Sequence, residues 1–449
     1  MSNRFIITKI ESFEVIDSRG FPTVATKVFA GNIYAKAMVP SGASTGEREA
    51  VELRDQDKNR FNGKGVLTAV NNVNTVISSY VVGLDCRNQE EIDNIMINLD
   101  GTNNKGSLGA NAILSVSLAV AKLAAILSSK PLYQYISEDI LCEKREKYLL
   151  PVPMLNVING GAHADNTIDF QEFMFVPVGA SSFKQAIQMA SECFHALQSI
   201  LKSQGFNTNK GDEGGFAPNL KDADQALNLM VEAINKAGYR PKDDVCIALD
   251  LASSELYDSA YNVYKFNKAI QANVIDEKLG TLSSDQMISY WEEKSNQFPI
   301  ISIEDGLCEN DWEGFKNMVS RLGDKIQIVG DDLFCTNPEI VAKGIVSNVA
   351  NSVLIKVNQI GTLTETIKTV KLAQEANWTT VISHRSGETE DTTIADLAVG
   401  LSSGQIKTGS MSRSERIAKY NRLIEIENEL KEKCLYPGID VFNKNNNPY

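Results

Sequence analysis

Six short apolar runs in the second half of the chain each end on one polar or ionisable residue. The runs are VCIALD, IISIED, IQIVGD, SVLIKV, TVISH and QIKTG, and the residues are Asp250, Glu304, Asp331, Lys356, His384 and Lys407. Asp250, Glu304 and Asp331 are carboxylates on three consecutive runs. Brought together, three oxygen anions need a cation, or their repulsion raises their pKa values. A ligand set made only of oxygen favours Mg²⁺ or Mn²⁺ over zinc. Lys356 and Lys407 would face the same ion. A lysine near cations, or partly desolvated, has a lowered pKa and can act as a base. Solvated loop acids and surface lysines are the commoner fate of these residue types. Their place at the ends of apolar runs weighs against that reading.

Two of the three histidines lie in Gly-flanked polar loops, His163 in NGGAHADN and His384 in ISHRSGETED. His195, in SECFHALQSIL, reads as part of a helix and as structural. Three Gly-rich loops stand out: SGASTG at 41–46, GGAHAD at 160–165 and GDEGG at 211–215. Glycine there permits close approach of backbone to a ligand, though each loop taken singly is a weak signal. GTNNKGS at Gly101 lacks the lysine after its second glycine, so it is not a phosphate-binding P-loop. No G-x-G-x-x-G occurs, which argues against a dinucleotide-binding fold.

The elements that must position these groups show in the spacing. The intervals between the six residues are 54, 27, 25, 28 and 23. Roughly 25–30 residues make one strand–helix unit, so the first interval holds a longer excursion. The runs are rich in Val and Ile, as buried parallel strands are. Amphipathic stretches such as LTETIKTVKLAQEAN separate them, with apolar Leu363, Ile367, Val370 and Ala373. Repeated units over about 300 residues predict a closed eight-fold α/β barrel, whose sites sit at the C-terminal strand ends. Ahead of it, residues 4–39 alternate apolar and polar positions as an antiparallel meander. Helical stretches follow at 48–58, 66–82, 88–99 and 109–128. The chain is thus expected to hold an N-terminal α+β capping domain, 1–137, and a barrel domain, 138–449, with SEDILCEKREKY as linker.

Composition narrows the function classes. The 449 residues carry a formal charge of −13, so neither nucleic acid nor an anionic membrane is an expected partner. Hydrophobic residues are 43% of the chain, enough for a large core. Seven scattered cysteines with no C-x-x-C predict neither a disulfide framework nor a structural zinc site, and fit a reducing cytoplasm. The N-terminus lacks a long apolar signal segment, and Ala112–Leu127, interrupted by Ser115, Ser117 and Lys122, reads as a buried helix rather than a membrane span.

In order and spacing, VPSGASTG, LGANAIL, QEFM, GDEGGFAPN, ALDLASSE, SIED, GDDL, LIKVNQIG, SHRSGETED and QIKTGS resemble the enolase family, the phosphopyruvate hydratases, in its bacterial type. The likeness runs from DSRGFPT at 17 to IAKYNRLIEIE at 417. It implies reversible dehydration of 2-phospho-D-glycerate to phosphoenolpyruvate, in glycolysis and gluconeogenesis. It also implies one antiparallel strand in the barrel, which the spacing alone does not reveal. Carried over by motif, Lys356 resembles the base that takes the proton α to the carboxylate. Glu213 resembles the acid that protonates the departing hydroxyl. Asp250, Glu304 and Asp331 resemble the ligands of a first Mg²⁺, and Ser44 resembles the loop residue that helps hold a second once substrate is bound. His163, Gln171, Glu172, His384, Arg385, Ser386 and Lys407 resemble the substrate-binding shell, with Arg385 and Ser386 at the phosphate. The family further implies a homo-oligomer, dimer or octamer, a cytoplasmic location, and in some members a secondary surface or scaffold role.

Removing an α proton from a carboxylate adds negative charge to a group already anionic. Enolase-superfamily sites are the standard example of meeting this with a Lys or His base and one or two Mg²⁺. Lys407 would add positive charge beside the ions. Hydroxide leaves poorly, so Glu213 needs a raised pKa, expected from repulsion by Glu172. Three departures from the family pattern stand out: Gly306 where Pro is usual, Phe21 where Asn is usual, and Lys210 directly before GDEGG. An ammonium at 210 turned toward Glu213 would hinder the acid, so it is expected to point away. Two other readings fit parts of the chain. One is a superfamily enzyme acting on an unphosphorylated acid, against which SHRSGE and GDEGG speak. The other is a scaffold protein on the same fold, whose polar tail NKNNNPY would be tested by truncation.

Overall fold

The computed structural model describes residues 3–43 and 46–442. The N-terminal meander forms as expected: β1 (Lys9–Ile16) pairs antiparallel with β2 (Pro22–Ala30), and β2 with β3 (Ile33–Met38). The helix α2 (Ala110–Leu127) backs this sheet, and α1 (Gln89–Asp100) packs against α2. Sixteen of the 18 residues of α2 are buried, because it is covered by the sheet on one side and by barrel elements on the other. Thr26 Oγ1 and Ser115 Oγ meet at 2.6 Å on the sheet side. Among the described residues α2 alone is long and apolar enough to cross a membrane, and 89% of it is buried within the fold.

The stretch 48–58 is not helical, contrary to the sequence expectation. Its backbone is committed elsewhere: Val51 N–H donates to the Asn104 carbonyl at 2.8 Å, and the Val51 carbonyl accepts from Ala110 at 2.8 Å. The Asp55 carboxylate accepts the N–H groups of Leu67 and Thr68. Long-range pairing thus overrides local propensity.

The second part closes into an eight-stranded barrel. Its strands are β4 (Val152–Asn159), β5 (Glu172–Val176), β6 (Cys246–Asp250), β7 (Ile300–Glu304), β8 (Gln327–Gly330), β9 (Ser352–Ile355), β10 (Thr379–Ser383) and β11 (Gly404–Lys407). They follow one another around the ring, and β11 closes it by pairing with β4. All neighbours are parallel except β5, which runs antiparallel to both β4 and β6. The six apolar runs picked out by spacing are β6 to β11. Outer helices include α3 (Phe183–Ser203), α4 (Ala223–Lys236), α5 (Ser284–Gln297), α6 (Trp312–Leu322), α7 (Pro338–Ser347), α8 (Leu363–Glu375), α9 (Thr393–Gly400) and α10 (Ser414–Leu430). The starts of α3 to α8 carry side-chain caps of the usual kind, such as the Ser283–Gln286 capping box of α5 and Asn337 with Pro338 on α7. The long interval between Asp250 and Glu304 holds a small three-stranded sheet, a short helix (Asn267–Gln271) and α5.

Charged pairs pin the meander layer to the barrel. Lys122 Nζ lies 2.7 Å from Asp391 Oδ2, whose carboxylate also accepts the Met38 N–H at 3.0 Å. Lys105 Nζ reaches Glu365 Oε1 at 3.0 Å. Ser41 and Gly387 exchange backbone hydrogen bonds at 2.8 Å. These contacts set the N-terminal layer over the C-terminal strand ends.

Candidate active site

The strand ends converge as their spacing required. Asp250, Glu304 and Lys407 are the last residues of β6, β7 and β11, while Asp331, Lys356 and His384 directly follow β8, β9 and β10. One cavity at this mouth is lined by His163, Gln171, Glu172, Glu213, Asp250, Asp331, Lys356, His384, Arg385, Ser386 and Lys407. Glu304 joins them through Lys407. Ser44 lies outside the described residues.

The antiparallel sense of β5 has a direct consequence. A strand of this hand begins where its neighbours end, so its first residue, Glu172, stands level with Asp250 of β6 and Asn159 of β4. Gln171, one residue earlier, donates through Nε2 to Asp250 Oδ2 at 3.2 Å.

Two charge clusters meet at this mouth, and Lys407 touches both, since its Nζ also lies 3.5 Å from Glu172 Oε2. On one side Lys407 Nζ donates to Asp250 Oδ2 at 2.7 Å and Glu304 Oε1 at 2.8 Å. Lys356 Nζ is hydrogen-bonded to Asp331 Oδ2, and Gln359 Nε2 donates to Asp331 Oδ1 at 2.8 Å. On the other side Glu172 and Glu213 lie side by side. His163 Nδ1 is 3.5 Å from Glu172 Oε1 and 3.8 Å from Glu213 Oε1. His384 Nε2 is 3.5 Å from Glu213 Oε2, to which Asn156 Nδ2 donates at 3.0 Å.

Two electrostatic expectations are corrected by these neighbours. The Lys356 ammonium was expected to have a lowered pKa. Burial is the largest influence and pushes it down, but the Asp331 and Glu304 carboxylates together outweigh it and raise the group above the usual lysine range. Glu213 was expected to be the raised carboxyl of its pair. Burial acts upward on it, but the His384 and His163 rings and then Arg416 outweigh burial and hold it low. Glu172 is the raised one, driven by burial and next by the charge of Glu213. Of the pair, Glu172 is the carboxyl whose protonated form its surroundings favour.

The carboxylates suit a hard divalent cation. Asp250, Glu304 and Asp331 are all buried, and they offer only oxygen. Burial, followed by repulsion from Asp250, raises Glu304 well above the ordinary range. That repulsion is what a bound divalent ion relieves, and oxygen donors of this kind fit Mg²⁺.

Arg385 reaches across the layers. Its Nη1 is 2.9 Å from Glu49 Oε2 and its Nη2 is 3.2 Å from Glu49 Oε1, in a buried ion pair with the N-terminal part. Ser386 Oγ accepts the Ala43 N–H at 2.7 Å. The three departures are accommodated. Lys210 Nζ sits 5.3 Å from the centre of the Phe194 ring, so its ammonium has a cation–π partner. At Gly306 a Cβ would fall 2.6 Å from Met318 Cε, so the side chain of α6 has taken the space. Phe21 packs under Lys64 at 3.9 Å.

Several residues here were not singled out beforehand. Asn156 is a polar residue inside the apolar run of β4, a readable signal. Gln359 lies in LIKVNQIG but shows no role until folded. Glu49 and Arg416 come from distant parts of the chain, and no local pattern marks them. Lys268, from the excursion after β6, donates through Nζ to the Gly161 carbonyl at 2.5 Å and the Ala164 carbonyl at 2.7 Å, clamping the loop that carries His163.

A closed barrel that gathers carboxylates, lysines and an arginine at its C-terminal mouth defines a barrel enzyme acting on an anionic ligand. Comparison with known proteins narrows the class. Residues 7–136 match the family model "Enolase, N-terminal domain", and residues 147–445 match "Enolase, C-terminal TIM barrel domain". A protein named Enolase from Malacoplasma penetrans is 69% identical over 443 residues, covering 98% of each chain. Enolase of Mycoplasma pneumoniae is 60% identical over 439 residues, covering 98% of this chain and 96% of its own. Enolase of Mycoplasma genitalium is 59% identical over 438 residues, with 97% and 95% covered. The chain belongs to the enolase family.

Proposed function

We propose that the protein is a phosphopyruvate hydratase, interconverting 2-phospho-D-glycerate with phosphoenolpyruvate and water in glycolysis and gluconeogenesis. The observation that carries the chemistry is the placement of two proton-handling groups on opposite sides of the ring. Lys356 follows β9, and the Glu172–Glu213 pair stands at the start of β5, four strands away in a ring of eight. An elimination needs a base at the α carbon and an acid at the departing hydroxyl, and this arrangement serves both from opposite faces of one ligand.

In this reading Lys356 Nζ accepts the α proton as the neutral amine, the form that would be favoured once a divalent cation engaged Asp331, the carboxylate that pairs with the ammonium in the free protein. Glu213 would donate to the hydroxyl a proton supplied through the Glu172–Glu213 pair, in which burial and the charge of Glu213 favour the protonated form of Glu172. Arg385 and Ser386 orient the phosphate, with His163, Gln171, His384 and Lys407 completing the shell. Asp250, Glu304 and Asp331 would hold Mg²⁺, and Ser44 a second ion when substrate is present. The metal supplies a Lewis acid that stabilises charge developing on the substrate carboxylate. Lys407, held between two carboxylates, adds a fixed positive charge to the same side. The same family likeness supports a division of the chain near residue 137, a homo-oligomer, and a cytoplasmic location.

The test is an assay of phosphoenolpyruvate formation from 2-phosphoglycerate, followed by its ultraviolet absorbance, with Mg²⁺ and after chelation. Turnover that is lost on chelation and restored by Mg²⁺ is expected. No turnover in the presence of Mg²⁺ overturns the reading.

A further inference from the structure

Arg416, on α10, is fully buried, yet it belongs to none of the groups assigned above. Its guanidinium faces the underside of the site. Nη1 lies 2.7 Å from His384 Nδ1 and donates to the Arg385 carbonyl at 2.5 Å. Nη2 donates to the Ser386 carbonyl at 2.6 Å and the Asp212 carbonyl at 3.3 Å. One planar group therefore ties the residue before Glu213 to three consecutive residues of the phosphate loop. The fold makes room for it at Gly409, where φ is +82° and a Cβ would stand 2.8 Å from Arg416 Cδ. Three residues further along α10, Lys419 grips the same loop, donating to Glu388 Oε2 at 2.9 Å and the Thr389 carbonyl at 2.6 Å.

The chemistry of this contact is restrictive. A guanidinium is always charged and has donors only. His384 Nδ1 must therefore accept, so the ring proton sits on Nε2, the nitrogen that faces Glu213 Oε2 at 3.5 Å. A second proton on Nδ1 would oppose the arginine, so the ring stays neutral.

We propose that Arg416 is a positioning residue for the reaction. It fixes His384 as the neutral Nε2–H tautomer aimed at Glu213 and holds the Arg385–Ser386 backbone in register with the acid loop. The proposal rests on the reading of Glu213 and Arg385 given above. The groups facing His384 are Glu213, Glu388 and Arg416 itself, with Lys419 paired to Glu388. Consistent with the geometry, burial, opposed by Glu213 but aided by Arg416, pushes His384 down to about 4. Without the arginine the ring would titrate nearer its ordinary value of about 6.5.

The test uses the full chain with Arg416→Gln and Arg416→Lys. Thermal midpoint, kcat and KM for 2-phosphoglycerate, and the pH profile of kcat/KM from 5 to 9 are measured for each. Lysine keeps the charge but offers a point donor rather than a fork. The lysine variant is expected to stay folded yet lose roughly 10²-fold in kcat/KM, the scale of a misplaced group. In the glutamine variant the acid limb of the profile is expected to move upward, as His384 gains the freedom to become cationic. A folded lysine variant with unchanged kcat/KM, or a glutamine variant with an unmoved acid limb, overturns the proposal. Activity losses that merely follow unfolding in both variants overturn it as well. Ring ¹⁵N spectra of histidine-labelled protein, which has only three histidines, read the His384 tautomer without any turnover. A protonated Nδ1 there refutes the tautomer assignment even if the substrate reading fails.

Discussion

Glu49 and Arg385, 336 residues apart, meet as a two-point buried ion pair that joins the N-terminal layer to the barrel mouth. The partner that the proposed phosphate would need is thus already engaged by a carboxylate in the free protein. Glu49 also accepts the Gly46 N–H and the Gln359 side-chain amide, so it links the 41–46 loop to the residues around Asp331.

If the carboxylate competes with phosphate for Arg385, neutralising it favours the ligand. Glu49→Gln keeps the shape and removes the charge. A lower KM for 2-phosphoglycerate, by about fivefold, is the expected outcome, within the range of a charge-assisted hydrogen bond. Steady-state kinetics decide the matter. A KM that is unchanged or increased shows that Glu49 orients Arg385 instead of competing for it.

Lys356 carries the proposed base function, and its ammonium is paired with Asp331 in the free protein. Replacement by alanine removes the proton acceptor. Its kcat should fall at least ~10²-fold, the lower range for general base catalysis. Exchange of the substrate α proton with deuterated solvent should fall in parallel, which separates loss of the base from loss of the acid. Near-normal exchange in the variant assigns proton removal to another group.

Asp391 stabilises the junction between the layers, and its pH dependence has a definite sign. Burial alone would raise its pKa, but Lys122 and the Thr393 groups outweigh burial and lower it from 3.8 to about 2. A carboxyl whose pKa is lower folded than unfolded contributes stability fully above about pH 4. That contribution is lost as pH falls from 4 through 2. The shift corresponds to about 2 kcal/mol, with roughly half gone by pH 3. Denaturant unfolding of the parent and Asp391→Asn should therefore differ most at pH 6, with the gap narrowing by pH 3. A gap of equal size at both pH values refutes the assignment.

How much of this was readable before folding depends on the kind of information. The six residues at strand ends were legible, because buried parallel strands are short Val/Ile-rich runs and each must stop where the polar loop begins. Their interval fixed the barrel, since one strand and one helix occupy a nearly constant length. The excursion after Asp250 showed as an interval twice the usual one. The motifs then supplied the family, and with it Glu213, Arg385 and Ser386.

Other features had no linear signature. The direction of β5 was implied only by the family likeness, since EFMFV reads alike in either sense. Tertiary pairing alone sets Glu172 beside Asp250. The helix expected at 48–58 gave way because its backbone groups are bonded to Asn104 and Ala110, and Asp55 is bonded to residues 67 and 68. The opposite directions in which Glu172 and Glu213 are shifted, and the raised Lys356, follow from through-space neighbours contributed by separate elements. Residue types and spacing decided which groups this protein would bring to one place. Their charge states and orientations were decided by the fold, because electrostatic interaction depends on distance in space rather than along the chain.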